Sequence, residues 1–249
     1  MSDLRDKIVW ITGCSRGIGR ELALDFAEMG ATVVATTLGG IDTRLQEELQ
    51  RRNPASLALS QDVTRAEDAR AVAQKIGEVF GRLDALINNA GIDPRMPAGD
   101  MRAEHWEAVL RTNLDGCWHC CEAALPLMRS LGNSSIINVG SITAHIGMPH
   151  LAHYIASKQG LVGFTRGLAR DLGPDGVRVN CIVLGAVVVE KEKNLGSEDE
   201  ILAIVNRSQC IPGRLYAADV IPAFRFLASD ASRAITGQSL HVDKGWTHH

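Results

Sequence analysis

Short apolar runs alternate along this 249-residue chain with longer amphipathic stretches, and that alternation leaves few folds open. KIVWIT precedes an amphipathic segment at 17–29, TVVAT one at 41–51, SLALS one at 65–80, DALIN one at 102–131 and SIINVG one at 151–172. VRVNCIV follows, and a helical segment at about 217–228 leads into QSLHVD. Strands joined through crossover helices build a parallel sheet with both faces covered. The pattern predicts an α/β class, a doubly wound parallel sheet of about seven strands with helices on both sides. No linker, repeat or low-complexity run divides the chain, and 45% hydrophobic content suffices for a continuous core, so residues 1–249 read as one domain. The most irregular region carries the charged EKEKNLGSEDE and then ILAIVNRSQC. It follows a strand end, where open α/β sheets hold their ligands. Residues 185–215 are expected to form a substrate lid, the competing reading being a solvated helix face.

Charge and composition exclude several partners. With 26 Lys and Arg against 29 Asp and Glu, the formal net charge of -3 gives no electrostatic footprint for nucleic acid or an anionic membrane surface. MSDLRDKIVWITG lacks the cationic start and apolar core of a signal peptide, and no apolar run approaches the length of a membrane span. A cytoplasmic protein is expected, with neither nucleic acid nor membrane as a partner. The cysteines at 14, 117, 120, 121, 181 and 210 show no paired framework, and free thiols are expected. CWHCC offers Cys117, His119, Cys120 and Cys121 as zinc ligands, but only Cys117 and Cys121 share a helix face, and no second ligand pair follows at zinc-site spacing. Helix packing accounts for the cluster better, since free cysteine behaves as a small hydrophobe, and no metal is expected.

Two motifs carry chemistry. The first apolar run ends in TGCSRGIG, which sets Gly13, Gly17 and Gly19 at a strand-to-helix turn. Glycines there permit positive φ and close backbone approach, and the following helix offers free N–H groups to a pyrophosphate. An ordinary tight turn is the competing reading; the strand before it and the long amphipathic helix after it favour a dinucleotide cradle. In HYIASKQG, Tyr154 and Lys158 share one helix face at i and i+4, with Ser141 upstream. A tyrosine needs about 3–4 kcal/mol of preferential phenolate stabilisation to titrate near neutrality. One positive charge about 4 Å away, in an effective dielectric near 20, supplies roughly 4 kcal/mol.

Over nearly its whole length the chain resembles the classical short-chain dehydrogenase/reductases: TGCSRGIG, Asp62 and Val63, NNAG at 88–91, Asn113, Ser141, and Tyr154 with Lys158 stand in that family's order and spacing. The resemblance implies a Rossmann-like domain, a nicotinamide cofactor and a catalytic tetrad of Asn113, Ser141, Tyr154 and Lys158. Tyr154 would pass the proton and Ser141 would hold the substrate oxygen. Lys158 would favour the phenolate and bind the nicotinamide ribose, and Asn113 would hold a water linking Lys158 to solvent. The glycine turn, with Ser15, Arg16 and Ile18, would cradle the phosphates. Asp62 would accept from the adenine amino group and Val63 would donate its backbone N–H to the ring, while Asn89, Ala90 and Gly91 would line the adenosine ribose. Read without the family, Asp62 caps a helix starting near Thr64 and NNAG is a turn. Such enzymes generally assemble as homotetramers through the long helices and the last strand.

The chain departs from the family after the sixth strand, where Leu184-Gly185 and Val189 replace Pro-Gly and a following Thr. One lost hydroxyl costs about 0.5–1.5 kcal/mol of cofactor affinity. Val187 is still expected to offer its backbone to the carboxamide. At the end of the second strand Thr37 and Leu38 stand where NAD-specific relatives carry an acid, and Arg16 could pair with a 2′-phosphate. NADP is expected as cofactor, with NAD as the alternative. NVGSITAHIG, Asp93, Gln209-Cys210 and VDKGW resemble patches of bacterial aldose 1-dehydrogenases. That narrower likeness makes a sugar hemiacetal the expected small-molecule substrate, with Asp93, His145, His153, Asn206 and Gln209 as candidate contacts beside Ser141 and Tyr154. A ketone reductase of the 3-oxoacyl-carrier-protein type is the alternative, and a noncatalytic dinucleotide binder a third.

Overall fold

The computed structural model describes residues 4–188 and 197–248. Its elements are β1 (Ile8–Ile11), α1 (Gly17–Glu28), β2 (Thr32–Thr37), α2 (Thr43–Arg52), β3 (Leu57–Ser60), α3 (Ala66–Phe80), β4 (Ala85–Asn88), α4 (Ala103–Leu110), α5 (Gly116–Met128), β5 (Ser134–Ser141), α6 (Thr143–Ile146), α7 (Ala152–Leu172), β6 (Val177–Leu184), α8 (Glu198–Ser208), α9 (Ala217–Ala228) and β7 (Ser239–Val242). The strands form one seven-stranded sheet in the order β3-β2-β1-β4-β5-β6-β7, and every pairing is parallel. This is the Rossmann-like architecture that the alternating runs and the family likeness predict.

Successive strand residues point to opposite faces. Val9 and Ile11 of β1 therefore join Leu22 and Phe26 of α1 and Phe224 of α9 on one side. Ile8 and Trp10 join Ile76 of α3, Cys120 and Met128 of α5 and Leu172 of α7 on the other. Strands buried on both faces are largely apolar, which is why Ile8–Ile11 and residues 85–87 read as continuous runs. The chain order reverses at β1, which lies between β2 and β4, and ligands of such sheets bind beyond the strand ends at that crevice.

Two segments differ from the sequence reading. The helix expected over 102–131 is interrupted: α4 runs into a π-helical turn at Arg111–Asp115 before α5 begins. A π turn inserts one residue into an α ladder and commonly marks a functional position. Within the irregular region, Glu198–Ser208 is helical because Ser197 and Glu200 form a reciprocal capping box, Ser197 N donating to Glu200 Oε2 at 2.9 Å and Glu200 N to Ser197 Oγ at 3.3 Å. Val189 and most of the charged run at 190–200 lie outside the described residues. No described helix is long and apolar enough to cross a membrane.

Candidate active site

The glycine turn and the loop after β4 are built as one unit. Thr12 Oγ1 accepts the backbone N–H groups of Asn89 and Ala90, both at 3.0 Å, and Asn89 Nδ2 donates to the carbonyls of Thr12 and Gly13 at 2.9 and 3.2 Å. Gly13 and Gly17 hold φ of 71° and 56°, and a Cβ on Gly13 would lie 2.8 Å from Ala90 Cα. A Cβ on Gly19 would collide with the Gly13 carbonyl and with Asn89 Nδ2. Arg16, the N-cap of α1, provides no side-chain cap, so the first-turn N–H groups remain available to an anion. The turn thus fits a dinucleotide pyrophosphate. Thr12, which orders both loops, was not singled out from sequence, although it is the first residue of TGCSRGIG.

Beside this turn, Ser15, Arg16 and Ile18 line a groove of about 680 Å³ that also holds Arg20, Arg44 and Asp42. Arg20 pairs with Asp42 at 3.0 Å and Glu48 at 2.8 Å, and Arg44 pairs with Glu48 at 3.1 Å. Arg16 alone among these cations has no acidic partner among the described residues. Asp42 is a carboxylate the sequence reading did not place here. It caps α2 through Leu45 N, and that backbone bond, together with Arg20, holds its carboxyl below the usual range despite some desolvation. Thr37 is buried and donates to the Gly40 carbonyl at 2.7 Å, while Leu38 is exposed at the end of β2.

Lys158 is buried on α7, with Nζ donating to the Val139 carbonyl of β5 at 2.7 Å and lying 5.6 Å from the centre of the Tyr154 ring. The two side chains share a face, within range of a cation–π contact. Ser141 ends β5, two residues beyond Val139; its Oγ meets Thr143 Oγ1 at 2.9 Å and accepts Thr143 N–H at 3.3 Å. Asn113, in the π turn, is fully buried. Its Oδ1 accepts Ile92 N–H at 2.8 Å, and its Nδ2 donates to the Ile92 carbonyl at 2.9 Å and to Ser157 Oγ at 3.0 Å. The amide thus ties the loop after β4 to α7 through Ile92 and Ser157. Gly91 lies between these residues: a Cβ there would meet Asn113 Oδ1 at 3.3 Å and Lys158 Nζ at 3.6 Å.

The remaining expected contacts have mixed surroundings. Asp62 Oδ1 accepts from Thr64 N at 2.9 Å and Thr64 Oγ1 at 2.7 Å, an Asx turn that leaves the second carboxylate oxygen for other work. Val63 is buried, and its carbonyl accepts from His119 Nδ1 at 3.0 Å. Gly185 packs on Asp243, and its carbonyl accepts Val187 N–H at 2.9 Å, so that donor is already engaged. Among the substrate candidates, Asp93 is exposed and follows Ile92. His145 instead packs its ring 4.7 Å from that of His241 and lines a different groove, between α7 and β7. Asn206 accepts Gly213 N–H at 2.8 Å; Gln209, with its amide nitrogen turned toward them, donates to the carbonyls of Gly213 and Ile211 at 3.1 and 3.3 Å. Both amides brace the loop after α8. That loop is also held by Lys244, whose carbonyl accepts from Cys210 and Ile211 and whose Nζ reaches the Arg214 carbonyl at 2.8 Å.

His153 is buried directly before Tyr154. Its Nδ1 accepts Tyr154 N–H at 2.9 Å, so the proton of the neutral ring sits on Nε2, which has no hydrogen-bond partner among the described residues. Burial, and more weakly His105, lowers its pKa, while a contact with the Leu151 backbone opposes this. A histidine that is harder to protonate when folded loses stability as pH falls from its unfolded value near 6.5 toward the folded one. Thermal melts are expected to show this decline below about pH 6.5, and His153→Asn should flatten it. An unchanged slope would refute the assignment.

Cys117, Cys120 and Cys121 are buried on α5. Burial pushes the Cys117 thiol up to about 12, and its Sγ donates to the Asn113 carbonyl at 3.2 Å. No group of three or more His, Cys, Asp or Glu among the described residues could hold a metal.

Residues 13–247 match the family model described as Enoyl-(Acyl carrier protein) reductase. D-xylose 1-dehydrogenase of Caulobacter vibrioides is 36% identical, over 98% of this chain and 96% of that one. A 3-oxoacyl-acyl-carrier-protein reductase FabG of Staphylococcus aureus is 34% identical, over 96% and 97%. Among solved structures, a putative short-chain alcohol dehydrogenase from Sinorhizobium meliloti superposes with a TM-score of 0.92 at 31% identity, over 98% and 97%. A putative NAD(P) dependent gluconate 5-dehydrogenase from Beutenbergia cavernae, with bound NADP at low occupancy, gives 0.90 at 32%, over 98% of each chain.

Proposed function

Because this chain belongs to the short-chain dehydrogenase/reductase family and is an NAD(P)-dependent oxidoreductase, we propose that it oxidises the hemiacetal carbon of an aldose to a lactone with NADP as acceptor. The observation that carries the reading is Tyr154 and Lys158 on one face of α7, over the end of β5 and beside Gly91, in a chain whose likeness to a xylose 1-dehydrogenase runs end to end. The glycine turn, Asn89 to Gly91 and Lys158 would hold the dinucleotide, which when bound supplies the two-electron acceptor. Tyr154 takes the proton of the C1 hydroxyl. Lys158 Nζ stands 5.6 Å from the centre of that ring, on the same face of α7. Ser141, oriented by Thr143, hydrogen-bonds the same substrate oxygen, and Asn113 keeps the loop carrying Gly91 and Ile92 in register with α7. Exposed Asp93 is the acceptor best placed in sequence to meet a second sugar hydroxyl.

Arg16 supports the NADP choice, since it is the cation in its groove left without an acidic partner among the described residues, while Arg20 offsets Asp42. Arg16→Ala is expected to raise the KM for NADP about tenfold, in whichever redox state the assay consumes it, with little change for NAD. Equal effects on the two cofactors would remove the assignment. A panel of aldoses and ketones, assayed with each nicotinamide by absorbance of the reduced ring, tests the substrate. The similar carrier-protein reductase supports a second reading, in which Tyr154 donates its proton to a ketone. Turnover confined to ketones with NADPH would select it. Homotetramer assembly through α4, α5, α7 and β7 is part of the proposal; Trp106 and Trp118 are exposed on these helices, and sedimentation of Trp118→Glu reads it out.

A further inference from the structure

Thr37 and Leu38 end β2 without a carboxylate, yet the turn that follows brings one back. Thr37 Oγ1 donates to the Gly40 carbonyl at 2.7 Å, and two residues later Asp42 stands in the groove that Ser15, Arg16, Gly17 and Ile18 line. That groove is walled by α1, α2 and the start of α9, none of which belongs to the proposed tetramer face. In open α/β sheets of this kind the adenosine ribose lies near the end of the second strand, and the charge placed there decides between a 2′-hydroxyl and a 2′-phosphate.

Arg16, Arg20 and Arg44 are the cations lining the groove, and Asp42 and Glu21 the acids. Arg20 is closed off by two carboxylates: one guanidinium nitrogen pairs with Asp42 Oδ2 at 3.0 Å and another with Glu48 Oε2 at 2.8 Å. The side chains of Arg20, Asp42 and Glu48 are only 19%, 29% and 18% exposed, so this is not a loose surface pair. Glu48 takes Arg44 Nε through its other oxygen at 3.1 Å. Asp42 is itself fixed, because its Oδ1 accepts Leu45 N–H at 2.9 Å and caps α2.

We propose that Asp42 is a specificity-determining residue that limits selectivity for NADP: with Glu48 it keeps Arg20 from a 2′-phosphate, and its own charge opposes that group's. The inference rests on the assignment of this groove to the dinucleotide. A 2′-phosphate would meet one guanidinium without an acidic partner among the described residues, Arg16, beside two that are already paired. A paired guanidinium is lost as a fork for phosphate oxygens, and a like charge nearby costs affinity. A 2′-hydroxyl carries no charge and meets neither effect.

Asparagine and glutamine keep the shapes of the two acids and drop their charge, and asparagine remains a strong N-cap. Parent, Asp42→Asn and Asp42→Asn/Glu48→Gln proteins are titrated with NADPH and with NADH by fluorescence of the reduced ring, beside Arg16→Ala. NADPH affinity is expected to rise about threefold in the single variant and about tenfold in the double, with NADH affinity within about twofold of the parent's. A damaged fold weakens both dinucleotides, so selective tightening cannot arise from one. The inference is overturned if Asp42→Asn binds NADPH no more tightly than the parent, or if NADH affinity rises in step. Failure of the cofactor assignment looks different: Arg16→Ala would then affect NADPH and NADH equally.

Discussion

Tyr154→Phe is expected to lower kcat by about 10²–10⁴-fold, the range that a positioned proton-transfer group contributes, while NADPH affinity stays near that of the parent. The substitution removes one oxygen and keeps the ring packed on α7. Lys158 retains its bond to the Val139 carbonyl, so the surroundings of the dinucleotide change little. Steady-state turnover and a fluorescence titration with NADPH separate the two quantities. A variant that turns over within tenfold of the parent would show that the proton travels by another group. Parallel loss of turnover and NADPH affinity would assign Tyr154 to cofactor binding instead.

Gly19→Ala should act on the other half of the site. The added methyl would enter space held by the Gly13 carbonyl and the Asn89 amide, two of the groups that join the glycine turn to the loop after β4. Overpacking of this kind costs about 1–3 kcal/mol. For a chain of this length each kcal/mol lowers Tm by roughly 2–4 °C. The turn must also shift under the pyrophosphate, and a displacement near 1 Å can cost about 10²-fold in activity. The expected result is a lower melting temperature together with a KM for NADP raised far above the parent's. A variant with an intact KM would mean that the turn does not seat the phosphates.

What the sequence disclosed follows from where its signals are local. A strand buried on both faces tends to read as an apolar run, so KIVWIT announced β1, whereas VRVNCIV carries the buried Arg178 and Asn180, which the folded chain pairs with the carbonyls of Leu227 and Ile235. The Tyr154–Lys158 spacing needed only helix geometry to become a shared face. Side-chain direction across elements was not legible: His145 lies four residues past Ser141, yet its ring turns toward β7. Asn206 and Gln209, candidate sugar contacts in the sequence, also bond Gly213 of their own loop, which is brought close only when the chain folds back. Asp42 escaped notice because its position beside Arg16 depends on the path of the turn after β2. The cap at Ser197 was readable as Ser-x-x-Glu but was masked by the charges around it.

The π turn at Arg111–Asp115 bears on how this protein can vary. The turn holds one residue more than a regular ladder needs, so removing a residue from it would let the helix close as a plain α-helix with the face of α5 kept toward the sheet. Cys120, Cys121 and Met128 would stay in the sheet-facing layer, but Asn113, which the wider turn positions, would release the loop that carries Gly91 and Ile92. A deletion here would therefore cost the site and spare the core. Libraries meant to alter this enzyme should therefore hold its length constant between α4 and α5 and place their indels in the loops beyond.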